Sequence, residues 1–200
     1  MLSYDFHLHS TFSDGQSSLE EILAQARSRN MTHLALTDHD TTAGQRMFLR
    51  EAARAGMHAV SGIEMSTCDG DLELHMLGYG FEWSDVRLEK WLRQQKAARL
   101  ARAKKILAAF RAAGFTAGRL TQKKTTIGRP HIVREISRYA ENRRLIRERY
   151  ACEPVLHDVI AQLTHKPGQP FYIKKTMLPI RTAIETIHRI GGIAVLAHPG

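Results

Sequence analysis

Cysteine is almost missing from this chain: there are two in 200 residues, Cys68 and Cys152, far apart and outside any Cys-x-x-Cys spacing. That excludes a disulfide framework and a thiolate metal site, and it fits the reducing cytoplasm. No charged n-region followed by an apolar stretch opens the sequence, and the longest apolar run, Gly191 to Ala197, is far too short to span a bilayer. A membrane protein and export by the general route are therefore not expected. Internal repeats and low-complexity segments are absent, which excludes a repeat array. Acidic residues are scarce in one place only: residues 87–149 hold 4 Asp/Glu against 19 Lys/Arg, whereas residues 1–86 hold 13 against 5. The net charge of +9 is thus one basic block behind an acidic lobe. Such a division suits a phosphate-rich substrate drawn towards bound cations, although a solvated helix face accounts for most of the charges from Arg87 to Arg111. A hydrophobic content of 43% is enough to bury a core.

What the chain does have is histidine next to carboxylate where hydrophobic runs end. His7-Leu8-His9 closes the run from Tyr4, Asp14 follows, Thr37-Asp38-His39-Asp40 closes the run from His33, and Gly62-Ile63-Glu64 closes the run from Met57. His75 lies in the strand-like Glu73–Tyr79, and His198 comes just after Ile193–Ala197. Alternation along a strand sends His7 and His9 to one face. In a parallel α/β fold the strand C-termini open on one side, so this coincidence points to one site. Imidazole mixed with carboxylate suits Zn, Mn or Fe. His33, His58, His157, His165 and His188 lack that setting and are expected to be ordinary surface or core residues.

The periodicity predicts a strand at Tyr4–Leu8, then a helix to Arg29 capped by Ser17 or Ser18, with Glu20 and Glu21 in its first turn. A strand at 33–37 follows, then a helix capped by Asp40 or Thr41 that ends at Gly56, then strands at 57–63 and 72–79. Strand-helix-strand alternation argues for parallel pairing. From Ser84 to Ala113 the pattern is helical, Gly128-Arg129-Pro130-His131 starts another helix, Ile180–Ile190 is a helix, and Ile193–Ala197 is a returning strand.

These motifs resemble the PHP (polymerase and histidinol phosphatase) family of metal-dependent phosphoesterases, in the family's order and over residues 7 to 198. His-Leu-His-Ser-Thr-Phe-Ser-Asp-Gly, Thr-Asp-His-Asp-Thr and Gly128-Arg129-Pro130-His131 are most similar to the subgroup that dephosphorylates nucleoside 3′,5′-bisphosphates and trims short RNA from its 5′ end. The resemblance implies an α/β fold: a distorted (β/α)7 barrel, incomplete at the C-terminus, built from residues 1–83 and 176–200, with a helical insertion over 84–175. The family's last motif, a Gly-x-Asp-x-His with two more ligands, has no counterpart here, so the chain is expected to be the N-terminal part of a longer enzyme.

The resemblance also implies roles. His7, His9 and Glu64 would hold a first metal, Glu64 with His75 and His198 a second, and Asp14 with His39 a third. That gives two or three divalent ions, manganese first, with iron or zinc as alternatives. Asp38 is expected to stand behind a ligand histidine and fix its tautomer, and Asp40 to cap a helix. Arg129 and His131, joined by Lys174 and Lys175, would grip a substrate phosphate; an Arg salt bridge and a helix-capping His are the structural alternatives. Arg143–Arg149 is either a solvated helix or an RNA contact. The expected partner is a small nucleotide or short RNA, with no membrane and no protein partner indicated. A phosphomonoesterase for a metabolite such as histidinol phosphate, and an inactive PHP binding module, are the competing functions; the intact ligand positions weigh against the module.

Overall fold

The computed structural model describes residues 3–118, 120 and 126–199. The chain divides into two compact units: Met1–Lys96, Lys124–Thr126 and Met177–Gly200 form one, Ala97–Lys123 and Ile127–Thr176 the other.

The first unit is an α/β layer around a mixed sheet. Its elements are β1 (Tyr4–Leu8), α1 (Leu19–Ser28), β2 (His33–Leu36), α2 (Gln45–Arg54), β3 (His58–Asp69), β4 (Leu72–Tyr79) and the first turns of α3 (Val86–Ala112). After the second unit, whose further helices are α4 (Arg129–Ser137), α5 (Ala140–Tyr150) and α6 (Leu156–Val159), come β5 (Leu178–Pro179), α7 (Ile180–Arg189) and β6 (Ile193–Leu196). The sheet order is β1-β2-β3-β4-β6, with β5 paired to β3. β1, β2 and β3 are parallel. β4 is antiparallel to β3, and β6 is antiparallel to β4.

The sheet therefore departs from the expected all-parallel alternation at one strand. Asp69 faces Leu72 across a two-residue turn in which Gly70 has φ 56°, so β3 and β4 form a hairpin, not a crossover pair. A positive φ costs glycine little, and a two-residue Gly-Asp loop is one of the pairs that read as a hairpin. β3 also runs to Asp69 rather than stopping at Ile63, which leaves Glu64 inside a strand.

Ser18 caps α1 in the expected manner: its Oγ accepts the Glu21 N–H at 3.2 Å, and Glu21 Oε2 accepts the Ser18 N–H at 2.7 Å. Leu19, Ile22, Leu23 and Ala26 then pack with Phe48 and Ala52 of α2 against Leu34 and Leu36. α2 begins at Gln45, after Gly44, so Asp40 is not its cap. Asp40 instead takes φ 49°, donates its N–H to Glu64 O and accepts the Ser66 N–H at 2.8 Å. Aspartate tolerates that left-handed conformation, and here it extends the pairing of the 38–40 segment along β3. A second core joins Ile63, Met65 and Met76 to Leu88 and Trp91 of α3 and Ala183 and Ile187 of α7.

The second unit is helical: most of α3, then α4 (Arg129–Ser137), α5 (Ala140–Tyr150), α6 (Leu156–Val159) and a π-helical turn at Ile160–Thr164. Phe110 stacks on Phe171 at 3.7 Å in its core, with Ile136 and Ile146 fully buried. Several of its arginines serve backbone carbonyls. Arg149 donates to Ala113 O at the end of α3, Arg143 to Ser137 O and Arg138 O at the end of α4, and Arg111 to Ala117 O and Gly118 O. Arg149 and Arg143 satisfy carbonyls that a helix end leaves open and oppose its negative pole, whereas Arg111 ties the loop after α3 back to the helix. Arg144 and Arg147 make exposed ion pairs with Glu148 and Glu153. The basic block is thus partly a set of helix terminators, in addition to a solvated face.

Candidate metal centre

β1 and the loop behind it bring three of the expected residues. The register of β1 against β2 shifts between Asp5 and Leu8. His7 and His9 lie with ring centroids 5.1 Å apart, and the Nε2 of each is 3.0 Å from Glu64 Oε2. The chain then turns back so tightly that a Cβ on Gly15 would run into the His9 carbonyl, which places Asp14 beside His9.

Glu64 is the centre. Its partner across the hairpin is Leu77, and His75 stands two residues along on the same face. His75 Nδ1 is 2.7 Å from Glu64 Oε1, and His198 Nε2, just past β6, is 3.0 Å from the same oxygen. His39 forms a parallel bridge with Glu64, its Nδ1 3.4 Å from Oε2. One carboxylate oxygen therefore faces His7, His9 and His39, and the other faces His75 and His198. His198 reaches its place with φ 28°, a conformation non-glycine residues adopt when their surroundings impose it.

Glu64 is 1% exposed. Burial alone would raise its carboxyl, yet hydrogen bonds from His75 and His9 and the charges of His39 and His75 hold it far below the usual carboxylate range. At His9, burial opposes the charged ring, but the Glu64 hydrogen bond and the charges of Glu64, Asp14 and Asp38 raise it overall. Tyr79 donates its hydroxyl to Phe6 O at 2.7 Å and is pushed up to about 12 by burial and by Glu64 and Asp5.

The donor set fits divalent cations. Three groups, His7-His9-Glu64, His9-Asp14-His39 and His39-Glu64-His75, each place one nitrogen or oxygen per residue within 4.8 Å of one another. His9 Nδ1 is buried and has no hydrogen-bond partner among the described residues. It lies 3.8 Å from Asp14 Oδ1, and His39 Nε2 lies 3.7 Å from Asp14 Oδ2. Those gaps are too long for hydrogen bonds but within the roughly 4 Å that two ligand atoms can span when each lies about 2.1 Å from one ion.

The other expected residues are placed differently. Asp38 touches no histidine ring through a hydrogen bond: its carboxylate accepts from Ser10 N, Ser10 Oγ and Ser13 Oγ. The expected tautomer-fixing contact is therefore replaced by one to the loop that carries Asp14. Arg129 and His131 open α4 in the second unit, where His131 Nδ1 accepts the Gly128 N–H at 3.0 Å, as a capping histidine does. Of the consecutive Lys174 and Lys175, the first is exposed and the second buried. Sequence reasoning missed Ser10 and Ser13, and also Gln45, which is fully buried. The Gln45 amide donates to Leu36 O and Gly62 O at 2.8 Å each and accepts the Gly62 N–H at 3.2 Å, tying β2 to β3 where their regular ladder ends. No local sequence signal separates such a glutamine from a surface one.

Imidazoles and carboxylates converging at one side of an α/β sheet make a donor set for divalent cations, as metal-dependent hydrolases use. The family profile of the PHP domain matches residues 5–153, and the chain belongs to that family. A 3′,5′-nucleoside bisphosphate phosphatase of Chromobacterium violaceum is 32% identical across the whole chain and 68% of its own length. A 5′-3′ exoribonuclease of Haemophilus influenzae is 34% identical across 98% of the chain and 68% of its length. The chain thus spans about two thirds of these relatives. Among solved structures, an amidohydrolase from Chromobacterium violaceum, with sulfate bound and no metal, superposes with a TM-score of 0.83 at 30% identity, over 99% of this chain and 67% of that one. A protein from Bifidobacterium adolescentis described as a metal-dependent phosphoesterase gives 0.82 at 25%, over 100% and 68%. No helix among the described residues is long and apolar enough to cross a membrane.

Proposed function

We propose that this phosphoesterase acts on nucleotides, hydrolysing nucleoside 3′,5′-bisphosphates, the 5′ ends of short RNA, or both. The observation that carries the reading is the division of the Glu64 carboxylate, one oxygen towards His7 and His9 at 3.0 Å and the other towards His75 and His198 at 2.7 and 3.0 Å. A carboxylate divided in this way would suit two neighbouring cations. His7, His9 and Glu64 would hold the first ion, Glu64, His75 and His198 the second, and Asp14 with His39 a third. Two or three divalent ions would be held, with manganese the first choice for this nitrogen and oxygen set and iron or zinc compatible with it. When bound, such ions supply a nucleophile from water at neutral pH and positive charge where phosphoryl oxygens gain negative charge.

The chain's own residues do the rest. Buried Glu64 stays ionised, and the strands fix the imidazoles before substrate arrives. Arg129 and His131, with Lys174 and Lys175, hold a phosphate other than the one cleaved. In this reading the mixed sheet is the larger part of a distorted (β/α)7 barrel formed by residues 1–83 and 176–200, the helical insertion is 84–175, and the enzyme works in the cytoplasm, where free Cys68 and Cys152 stay reduced.

The test is phosphate release from adenosine 3′,5′-bisphosphate with added Mn2+, together with the metal content of the equilibrated protein. Release that stops with a chelator and with Glu64→Gln is expected. Protein that takes up no Mn2+, Fe2+ or Zn2+ would overturn the reading.

A further inference from the structure

Asp38 is 1% exposed and sits next to His39, yet it bonds to neither ligand ring. Its Oδ1 accepts the Ser10 N–H at 2.8 Å and the Ser13 hydroxyl at 2.5 Å, and its Oδ2 accepts the Ser10 hydroxyl at 2.6 Å. Ser10 and Ser13 are themselves buried, at 0% and 1% exposure. Within the loop, Ser10 Oγ accepts the Phe12 N–H at 3.1 Å and Ser10 O accepts the Ser13 N–H at 3.0 Å. The whole turn from Ser10 to Ser13 is therefore fastened to one carboxylate.

The residue that follows this turn is Asp14. A hydroxyl owns one proton, and Ser13 gives its proton to Asp38, so its 3.5 Å approach to Asp14 Oδ1 donates nothing. Asp14 has no nearer hydrogen-bond donor among the described residues. Its oxygens face His9 and His39 at 3.8 and 3.7 Å. Asp38 thus fixes the turn that carries Asp14, whose partly exposed carboxylate faces His9 and His39 at distances a shared cation would fill. His7, His75 and His198, which face Glu64, are carried by β1, by β4 and by the end of β6, and do not hang on this loop.

We propose that Asp38, acting through Ser10 and Ser13, is the positioning residue that sets the occupancy of the cation site made by His9, Asp14 and His39, leaving the site of Glu64, His75 and His198 largely independent of it. The inference rests on reading the cluster as a metal centre. Its test is metal binding, with Mn2+ as the probe: stoichiometry by elemental analysis after equilibrium dialysis, stepwise affinities by calorimetry, and the thermal transition of each variant. Asp14→Ala should lose one equivalent. Ser13→Ala should weaken that same equivalent about tenfold and Asp38→Ala about a hundredfold, the range over which groups behind metal ligands act. The equivalent held by Glu64, His75 and His198 should keep its affinity, and Asp38→Ala added to Asp14→Ala should cost no further metal.

Wild-type binding at every step in both Ser13→Ala and Asp38→Ala would overturn the proposal, as would equal weakening of all equivalents. Should Asp38→Ala fail to fold, Ser13→Ala, which removes one oxygen, decides alone. A wild-type protein without bound Mn2+ would overturn the metal reading and this inference with it; metal-loaded wild type with unaffected variants would overturn the inference only.

Discussion

Glu64 and His75 meet on a diagonal of the β3/β4 hairpin, Oε1 to Nδ1 at 2.7 Å, because Glu64 faces Leu77 and His75 faces Ser66 in the antiparallel register. Diagonal neighbours on one face of a strand pair lie close enough for long side chains to touch. A parallel crossover could not deliver this contact within eleven residues. The reversed strand is thus what lets a carboxylate in the middle of the sheet be reached by an imidazole from β4 as well as by those of β1.

The first prediction follows from that contact. Glu64→Gln keeps the shape but removes the charge, and a buried amide must then face five imidazoles. Bound metal should fall by at least two equivalents and phosphate release by several orders of magnitude, the scale of losing charge stabilisation at a phosphoryl centre. Elemental analysis and a phosphate assay check this, with circular dichroism to show that the fold persists. Unchanged metal content would remove Glu64 from the bridging role.

Much of this site is legible in the sequence, for a physical reason. His7, His9, Asp14, His39, Glu64, His75 and His198 sit in or beside short apolar runs, and strand alternation turns such spacing into direction. The β4 reversal was also written, in Gly70-Asp71, but a βα rhythm elsewhere outweighed it. Other features leave no local trace. Asp40 reads as a cap because aspartate precedes a helix, and only the tertiary pairing with Ser66 shows that its backbone turns left-handed. Asp38 next to His39 reads as a tautomer anchor, yet its partners lie 25 and 28 residues away. The arginines of the basic block read as a solvated face because helix-end carbonyls carry no sequence mark.

The second prediction concerns Gln45. Its amide satisfies two carbonyls and one N–H at Leu36 and Gly62, where β2 and β3 part. Gln45→Leu fills the space and leaves those groups buried without partners, at roughly 1–3 kcal/mol each. A loss of about 3 kcal/mol or more in urea unfolding at unchanged m is expected. Gln45→Glu should be no better, since a carboxylate cannot donate to either carbonyl. Stability within about 0.5 kcal/mol of wild type in both variants would show that the strands do not depend on this clamp.

The third prediction concerns Gly15. A methyl group there meets the carbonyl of His9, its carbon, and the Ser10 nitrogen at 2.8 Å, and none of these can swing away. Gly15→Ala must displace the turn that ends in Asp14, at the cost of about 1–3 kcal/mol typical of overpacking. Both the midpoint of thermal unfolding and the affinity for the weakest-bound Mn2+ should fall. A variant with a lowered midpoint and wild-type Mn2+ affinity would separate the glycine from the cation site.

The last prediction separates substrate recognition from chemistry. Arg129 and His131 are proposed to hold a second phosphate, so the binding energy they supply is needed by substrates that own one. Losing an arginine from a charge-assisted contact removes a few kcal/mol, which for Arg129→Ala gives roughly a hundredfold fall in kcat/KM on a nucleoside 3′,5′-bisphosphate. A simple monoester such as p-nitrophenyl phosphate should be nearly indifferent. His131 is the sharper case, because its Nδ1 already accepts the Gly128 N–H at the start of α4. His131→Asn keeps a short side chain able to accept that N–H while removing the second ring nitrogen, so it should retain the unfolding midpoint yet lose kcat/KM on the bisphosphate. Equal losses on both substrates would assign the pair to folding or to the metal centre, and a bisphosphate rate unchanged in both variants would leave His131 a helix cap and Arg129 a structural cation.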